Sequence, residues 1–210
     1  MADMMSWSWA GLLGLGAFHG LNPGMGWLFA VALGMQERRR TAVYRAMLPL
    51  ALGHGLAIAA TIVVAAIAGA VLPLRLIQWI VAAVLLVMGI SRFFRHMHPR
   101  WVGMQVSMKD LTVWSFLMAS AHGAGLMVLP LVLRSAVTPH CSIHEAGASA
   151  SSALWATVVH SAGYLGVSAV VAVVVFEKLG VGILRKAWFN LDLIWAVALI
   201  ATSIVTIVIA

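Results

Sequence analysis

The most informative stretch of this sequence is Gly16-Ala17-Phe18-His19-Gly20-Leu21-Asn22-Pro23-Gly24-Met25-Gly26, which interrupts an apolar segment. Proline lacks an amide hydrogen and glycine relaxes the backbone, so a helix here is predicted to kink or unwind after His19. The carbonyls freed by such a break cannot face lipid, so the break must be buried in protein or line a wet cavity. An ionisable side chain beside it marks a candidate site.

The composition of the whole chain is that of an integral membrane protein. Of its 210 residues, 63% are hydrophobic and only 9% are charged, whereas soluble domains carry about 25% charged residues. The mean hydropathy is +1.03. Because a helix needs about 20 residues to cross the hydrocarbon, the sequence predicts an all-α membrane protein, a six-helix transmembrane bundle. The predicted spans are residues 8–33, 45–71, 74–93, 111–134, 151–176 and 189–209.

The basic residues predict the orientation of these spans. The net charge is +7, but the basic residues divide by loop, which is not typical of a nucleic-acid-binding patch, so no nucleic-acid partner is expected. Only Arg75 and Arg134 lie on the second side of the membrane. The positive-inside rule therefore predicts a bacterial-type inner-membrane, multi-pass protein with both termini outside the cytoplasm. The basic residues on the predicted cytoplasmic side are Arg38, Arg39, Arg40, Arg45, Arg92, Arg95, Arg100, Lys109, Lys178, Arg185 and Lys186.

The two halves of the chain resemble each other around four histidines. An odd three-helix unit inverts when it is repeated, as in many transporters. The sequence therefore predicts one integral membrane domain with a 3+3 inverted repeat, residues 1–109 and 110–210. Gly123, Gly125 and Pro130 interrupt span four, so broken helices are expected in spans one and four. The matching segments are Ala17-Phe18-His19-Gly20 with Ser120-Ala121-His122-Gly123, and Leu52-Gly53-His54-Gly55-Leu56 with Val158-Val159-His160-Ser161-Ala162.

Six side chains at these positions form the predicted substrate site. Imidazole suits transition metals and thioether suits soft ones such as Cu(I), while neutral imidazole near pH 7 can also pass a proton. Hydrogen bonding between helices is the competing interpretation for each histidine, and packing is the competing interpretation for methionine. The predicted substrate-binding residues are His19, Asn22, Met25, His54, His122 and His160, of which the four histidines are the predicted metal ligands.

A second group of potential ligands, His140-Cys141-Ser142-Ile143-His144-Glu145, lies in the predicted outer loop between spans four and five. Two imidazoles, a thiol and a carboxylate could capture a metal there. Their spacing matches no closed zinc motif, so a loop without a ligand is the favoured interpretation. Cys141 is the single cysteine, so no disulfide can close within one chain.

The segment Gly16 to Met25, followed by Gly53-His54 after an arginine-rich loop, resembles the nickel/cobalt efflux (NicO-type) family of the LysE exporter superfamily. The family segment is similar to His-x-x-Glu/Asp-Pro followed by a second histidine, and its members are permeases that export divalent metals. The resemblance maps the family's first histidine on His19 and its proline on Pro23. Asn22 stands where the family has a carboxylate, and Met25 or its neighbour where it has histidine, which implies a softer, less charged ligand set.

These observations predict an inner-membrane permease that exports a transition-metal cation. An exporter of an amino acid or small organic solute is one alternative, because the amides of a broken helix can hold a carboxylate. A membrane cytochrome is another, because four histidines could supply two axial pairs for haem b. The sequence contains no Ser-His-Asp, phosphate-loop or HExxH pattern, so no enzyme is predicted. No tightly bound cofactor is expected; the expected partners are membrane lipid and the metal ion or solute, and homo-oligomerisation is left open.

Overall fold

The protein is described here by a computed structural model covering residues 2–94, 107–135, 144–179 and 184–208. Within these ranges the chain is helical and contains no strand. A 3₁₀ turn, Pro23–Met25, separates the first two helices, and a π-helical turn, Val175–Leu179, follows the seventh. The helices are α1 Ala2–Leu21, α2 Trp27–Glu37, α3 Arg40–Gly69, α4 Leu74–Phe94, α5 Met108–Ala121, α6 Ala124–Ser135, α7 His144–Val174 and α8 Leu184–Val208.

Three of these helices are long and apolar enough to cross a membrane, namely Arg40–Gly69, Leu74–Ser91 and Ala153–Lys178. The pair Met108–Ala121 and Ala124–Pro130, bent by 51°, makes a fourth if it is one span. Large apolar side chains lie exposed on the outer surface of α3, as expected where lipid replaces water. The predicted all-helical fold is therefore confirmed in the described residues, and three or four of the predicted spans are candidate membrane spans by length and composition.

Local sequence explains several helix boundaries. Ser107 and Asp110 form a capping box at the start of α5, in which the Ser107 hydroxyl accepts from the Asp110 amide at 3.2 Å and the Asp110 carboxylate accepts from the Ser107 amide at 2.9 Å. Pro130 does not end α6, and Gly125 lies within it. The interruption between α5 and α6 is instead at His122 and Gly123, where Gly123 has a φ of +72°.

The helices pair across the two halves of the sequence. The most extensive contacts join α1 to α7, α3 to α5 and α4 to α8. Glycines permit the close approach, since a β-carbon on Gly16 or Gly20 would overlap the backbone of α7 and one on Gly53 would overlap the backbone of α5. Small residues at helix contacts are the usual device of membrane packing.

Hydrogen bonds also join the halves. Among the described residues, five side chains of the second half donate to backbone carbonyls of the first half. The halves therefore interlock along their length. The donors and acceptors are Trp114 to Gly24, Ser115 to Leu50, Tyr164 to Met25, Ser168 to Gly20 and Ser203 to Ala82.

Candidate functional site

Three of the four predicted histidines meet in the centre of the bundle. The ring of His19 lies 4.9 Å from that of His160 and 5.7 Å from that of His54, and the last two rings are 5.5 Å apart, measured between centroids. All three residues are fully buried. They come from α1, α3 and α7, so tertiary packing alone brings them together; we call them the histidine cluster.

His54 is a member of the histidine cluster whose two ring nitrogens are both unsatisfied within the described residues. Among the described residues, neither of its buried ring nitrogens has a hydrogen-bond partner. The ring stacks on Tyr164 at 4.1 Å and lies nearly parallel to the ring of His160, with an angle of 8° between the planes. Buried polar atoms are normally satisfied, so an imidazole without a partner among the described residues is a candidate position for a bound water or ion.

The ring nitrogens of His160 resemble those of His54 in their hydrogen bonding. The backbone of Leu12 lies beside it, although neither ring nitrogen of His160 reaches hydrogen-bonding geometry with any described residue. All four ring nitrogens of His54 and His160 are therefore buried without a hydrogen-bond partner among the described residues.

The other two imidazoles are oriented by their own helices. His19 Nδ1 lies 3.0 Å from the carbonyl oxygen of Leu15, and His122 Nδ1 lies 2.8 Å from that of Met118, each one helical turn earlier. Because a carbonyl can only accept, these contacts assign the hydrogen to Nδ1 and leave Nε2 as the acceptor nitrogen. An imidazole fixed in this way is the common arrangement of a metal-ligating histidine.

His122 lies beside the interruption between α1 and α2. It is the C-cap residue of α5 and only 2% exposed. Its Cε1 would be 3.9 Å from a β-carbon on Gly24, and the Met118 methyl group would be 3.3 Å from the same point. The structure therefore brings His122 to the edge of the first break, while ring-to-ring contacts join His19, His54 and His160 in the cluster.

Asn22 and Met25 lie within the first break itself. The Asn22 side-chain oxygen accepts from the Gly24 amide at 2.9 Å and so closes the 3₁₀ turn. Its Nδ2 is buried without a partner among the described residues, and an amide nitrogen is a donor that cannot coordinate a cation. Met25 is 1% exposed and packs in the same apolar cluster as Tyr164. Of the two, the Met25 thioether is the better candidate cation ligand.

The carbonyls freed by this break are occupied by side-chain donors. Tyr164 donates to Met25 at 2.8 Å and Trp114 donates to Gly24 at 3.0 Å. The further pairs are Trp27 with Leu21 at 3.2 Å and Ser168 with Gly20 at 3.3 Å. The break therefore satisfies the requirement that no carbonyl face lipid, and it does so without a wet cavity at these four oxygens.

Tyr164, Trp114 and Ser168 bond to the backbone of the candidate site, and the sequence analysis did not predict them. The available signal was Tyr164, a phenol four residues after His160 in an apolar helix, and thus on the same face. No local signal connects Trp114 or Ser168 to residues 20–25, because those contacts depend on how α5 and α7 pack.

The predicted outer-loop ligands lie largely outside the described residues. His140 and Cys141 fall between α6 and α7, in a range that the structure does not describe. His144 and Glu145 begin the backbone of α7, but their side chains are also outside the description. In the part of the chain that is described, the histidine cluster included, no group of three or more His, Cys, Asp or Glu side chains is arranged to hold a metal ion.

A separate cleft lies beside the second interruption. Its volume is about 390 Å³, and its walls are small apolar residues of α3, α4 and α6 with Thr61, Ser120 and Gly123 among them. The lining carries little that could bind a cation. The cleft therefore gives the backbone at Gly123 free space on one side.

Comparisons of the chain with models of protein families, with curated proteins and with solved structures return no match. The NicO-type resemblance consequently stays a prediction based on residues 16–25 and 53–54. The chemistry of the site must be argued from its own groups: three mutually contacting imidazoles, a fourth beside the break, and a buried thioether.

Proposed function

We propose that the chain is an inner-membrane permease that exports a transition-metal cation through the histidine cluster. The observation that carries this proposal is the convergence of His19, His54 and His160, from three helices, with both nitrogens of His54 unpartnered among the described residues. Ionisable side chains are expensive inside a membrane and are retained for function. Imidazole nitrogens are ligands for transition metals.

The proposal includes six spans arranged as a 3+3 inverted repeat. Exchanging the two repeats would turn the α1–α7 pair into the α5–α3 pair and leave the α4–α8 pair unchanged, and these are the three most extensive helix contacts. The matching bonds from His19 to Leu15 and from His122 to Met118 follow the same exchange. Repeated units of this kind are a common basis of alternating access.

The moving parts of the proposed permease are helix pairs. Rocking residues 1–109 against 110–210 would break the five hydrogen bonds between the halves, each costly to leave unmade in a buried setting. Motion of the α1–α7 pair, together with the 3₁₀ turn that follows α1, against the α3–α5 pair keeps four of them. It breaks only the Trp114 bond to Gly24, between α5 and that turn, and opens the boundary between His160 and His54.

The proposed orientation has both termini outside the cytoplasm. Arg40 and Glu177 form an ion pair of 3.0 Å, which places the start of α3 and the end of α7 at the same end of the molecule. This supports the assignment of the basic loop at residues 38–45 and of Lys178 to one membrane side. The outward direction of transport follows the family resemblance.

The function is tested by metal tolerance in cells that express the full chain. His19→Ala and His54→Ala are expected to abolish metal-dependent tolerance with unchanged amounts of protein in the membrane, because each removes a cluster ligand. Gln78→Ala is the matched control, since Gln78 is a buried polar residue of α4. Normal tolerance in both histidine variants would remove the proposal.

An amino acid or other small carboxylate is a second candidate cargo. The observation favouring it is the buried Asn22 Nδ2, a donor that finds no acceptor among the described residues and could bind a carboxylate. A thermal-shift series with metals and amino acids separates the two candidates, because a true ligand stabilises by mass action. Haem finds less support, since the three rings lie within 4.9–5.7 Å of one another, which leaves little room for a macrocycle between them.

A further inference from the structure

We infer that the cargo is a univalent soft cation, copper(I) or silver(I), rather than a divalent ion such as nickel(II) or cobalt(II). The inference rests on the proposed metal permease and concerns the identity of its ion. It departs from the divalent cargo that the family resemblance implies.

The first argument is the charge of the site. The groups in and around the histidine cluster are uncharged: neutral imidazoles, the Tyr164 phenol and the Met25 thioether. The Born cost of burying an ion rises with the square of its charge, so a divalent ion costs about four times as much as a univalent one of equal radius. The acidic residues of the chain all lie towards the ends of the predicted spans, namely Asp3, Glu37, Asp110, Glu145, Glu177 and Asp192.

The second argument is the set of donor atoms left open to a cargo. Nickel(II) and cobalt(II) complete their coordination with oxygen as well as nitrogen ligands. At the adjoining break, the carbonyls of Gly24 and Met25 accept from Trp114 and Tyr164, and the Asn22 side-chain oxygen accepts from the Gly24 amide. Among the described residues, the Ser161 hydroxyl beside His160 is buried without a partner, but it is a neutral oxygen, and imidazole nitrogen and the Met25 thioether are the softer donors.

The third argument is the geometry of the imidazole pair. His54 and His160 come from different helices, with nearly parallel rings 5.5 Å apart. Copper(I) and silver(I) are satisfied by two neutral nitrogen donors, and a thioether is a favoured third. Because no three His, Cys, Asp or Glu side chains of the described residues are arranged to hold an ion, a cargo satisfied by two donors suits the cluster better than one that needs four to six, and a buried thioether, Met25, lies in the adjoining break.

The test is ion uptake by liposomes containing the purified full-length protein. Silver(I) is the probe because it needs no reductant, and chloride-free buffer keeps it in solution. We expect silver(I) to enter at least about tenfold faster than nickel(II) or cobalt(II) supplied at the same concentration. Met25→Leu is expected to reduce silver(I) uptake several-fold, whereas Met35→Leu, on the exposed surface of α2, should leave it unchanged.

The outcomes separate this inference from the proposed function. Uptake of nickel(II) or cobalt(II) as fast as silver(I) would overturn the univalent cargo and leave a metal permease. Failure of every metal to enter would overturn both. Since the comparison of ions uses the wild-type protein, the result does not depend on whether the Met25 variant folds.

Discussion

Two interruptions of the helical backbone, between α1 and α2 and between α5 and α6, are closed in different ways. At the first, residues 22–26, the carbonyls of Gly24 and Met25 accept from side chains of α5 and α7. At the second, the amides of His122 and Gly123 bond to carbonyls of the preceding turn at 2.9 and 3.1 Å. The first break is thus held by other helices, and the second by its own chain.

The two breaks also differ in how tightly neighbouring side chains pack against them. A β-carbon on Gly26 would overlap the Leu50 side chain, whereas one on Gly123 would have its nearest contact, Leu199, at 3.3 Å. Gly123 also borders the cleft of about 390 Å³. The first bend is therefore a socket fixed by neighbouring helices beside the histidines, whereas the second is closed by its own chain and borders an apolar cleft.

The largest expected effect comes from alanine substitution at the two glycines. Gly26 has a φ of +112° and lies against Leu50, so Gly26→Ala should lower the free energy of unfolding by about 3 kcal/mol through strain and overpacking. Gly123→Ala should cost about 1 kcal/mol, because φ of +72° is near the left-handed region that other residues adopt. Unfolding in detergent measures both free energies. Equal losses would show that the two breaks do not differ in how tightly they are held.

The next effect is loss of the hydroxyl that covers Met25. Tyr164→Phe keeps the ring on His54 but leaves a buried carbonyl without its donor, so we expect a loss of about 2 kcal/mol in unfolding free energy. The control is Tyr44→Phe, at a residue 48% exposed, which should change stability by less than about 0.5 kcal/mol. Similar values for the two tyrosines would mean that the first break does not depend on α7.

A smaller effect is expected at the donor from α5. Trp114 is only half-buried, so water can partly replace its bond to Gly24, and Trp114→Phe should cost about 1 kcal/mol. Trp155→Phe makes the same change at a residue 61% exposed and should be nearly silent. A Trp114 variant as stable as the Trp155 variant would show that this donor contributes nothing to the socket.

The smallest effect tests whether α2 is anchored at the break or at its far end. Arg45 and Glu37 approach to 3.6 Å there, with side chains 65% and 38% exposed. Exposed ion pairs contribute little, so Arg45→Gln should lower the unfolding free energy by less than about 0.5 kcal/mol. A loss matching that of Tyr164→Phe would move the anchor of α2 away from the break.

The sequence predicted what local chemistry controls. Apolar composition predicted a helical membrane protein, and the structure confirms this for three or four candidate spans. Proline and glycine at residues 23–26 lie where the helix boundaries at Leu21 and Trp27 occur. The burial of the four histidines follows from their positions inside apolar segments.

The rest depends on packing that no short segment encodes. Of the three residues predicted to interrupt span four, Gly123 lies at the interruption, whereas Gly125 and Pro130 lie within α6, because a single proline can be carried within a helix whose neighbours tolerate the missing bond. Tyr164 and Trp114 reach the first break only because α7 packs on α1 and α5 packs on α3. The six-span repeat, the metal cargo and the outer-loop ligands stay predictions.

The one-way direction of the five bonds between the halves has a consequence for how the protein is made. Translation delivers every acceptor carbonyl, in residues 1–109, before the first donor leaves the ribosome. Until α7 is synthesised, the carbonyl of Met25 has no phenol to cover it, and bare backbone is costly in lipid. Until then, water or the insertion machinery must cover these carbonyls of the nascent first half. The later helices of the chain then take over that role.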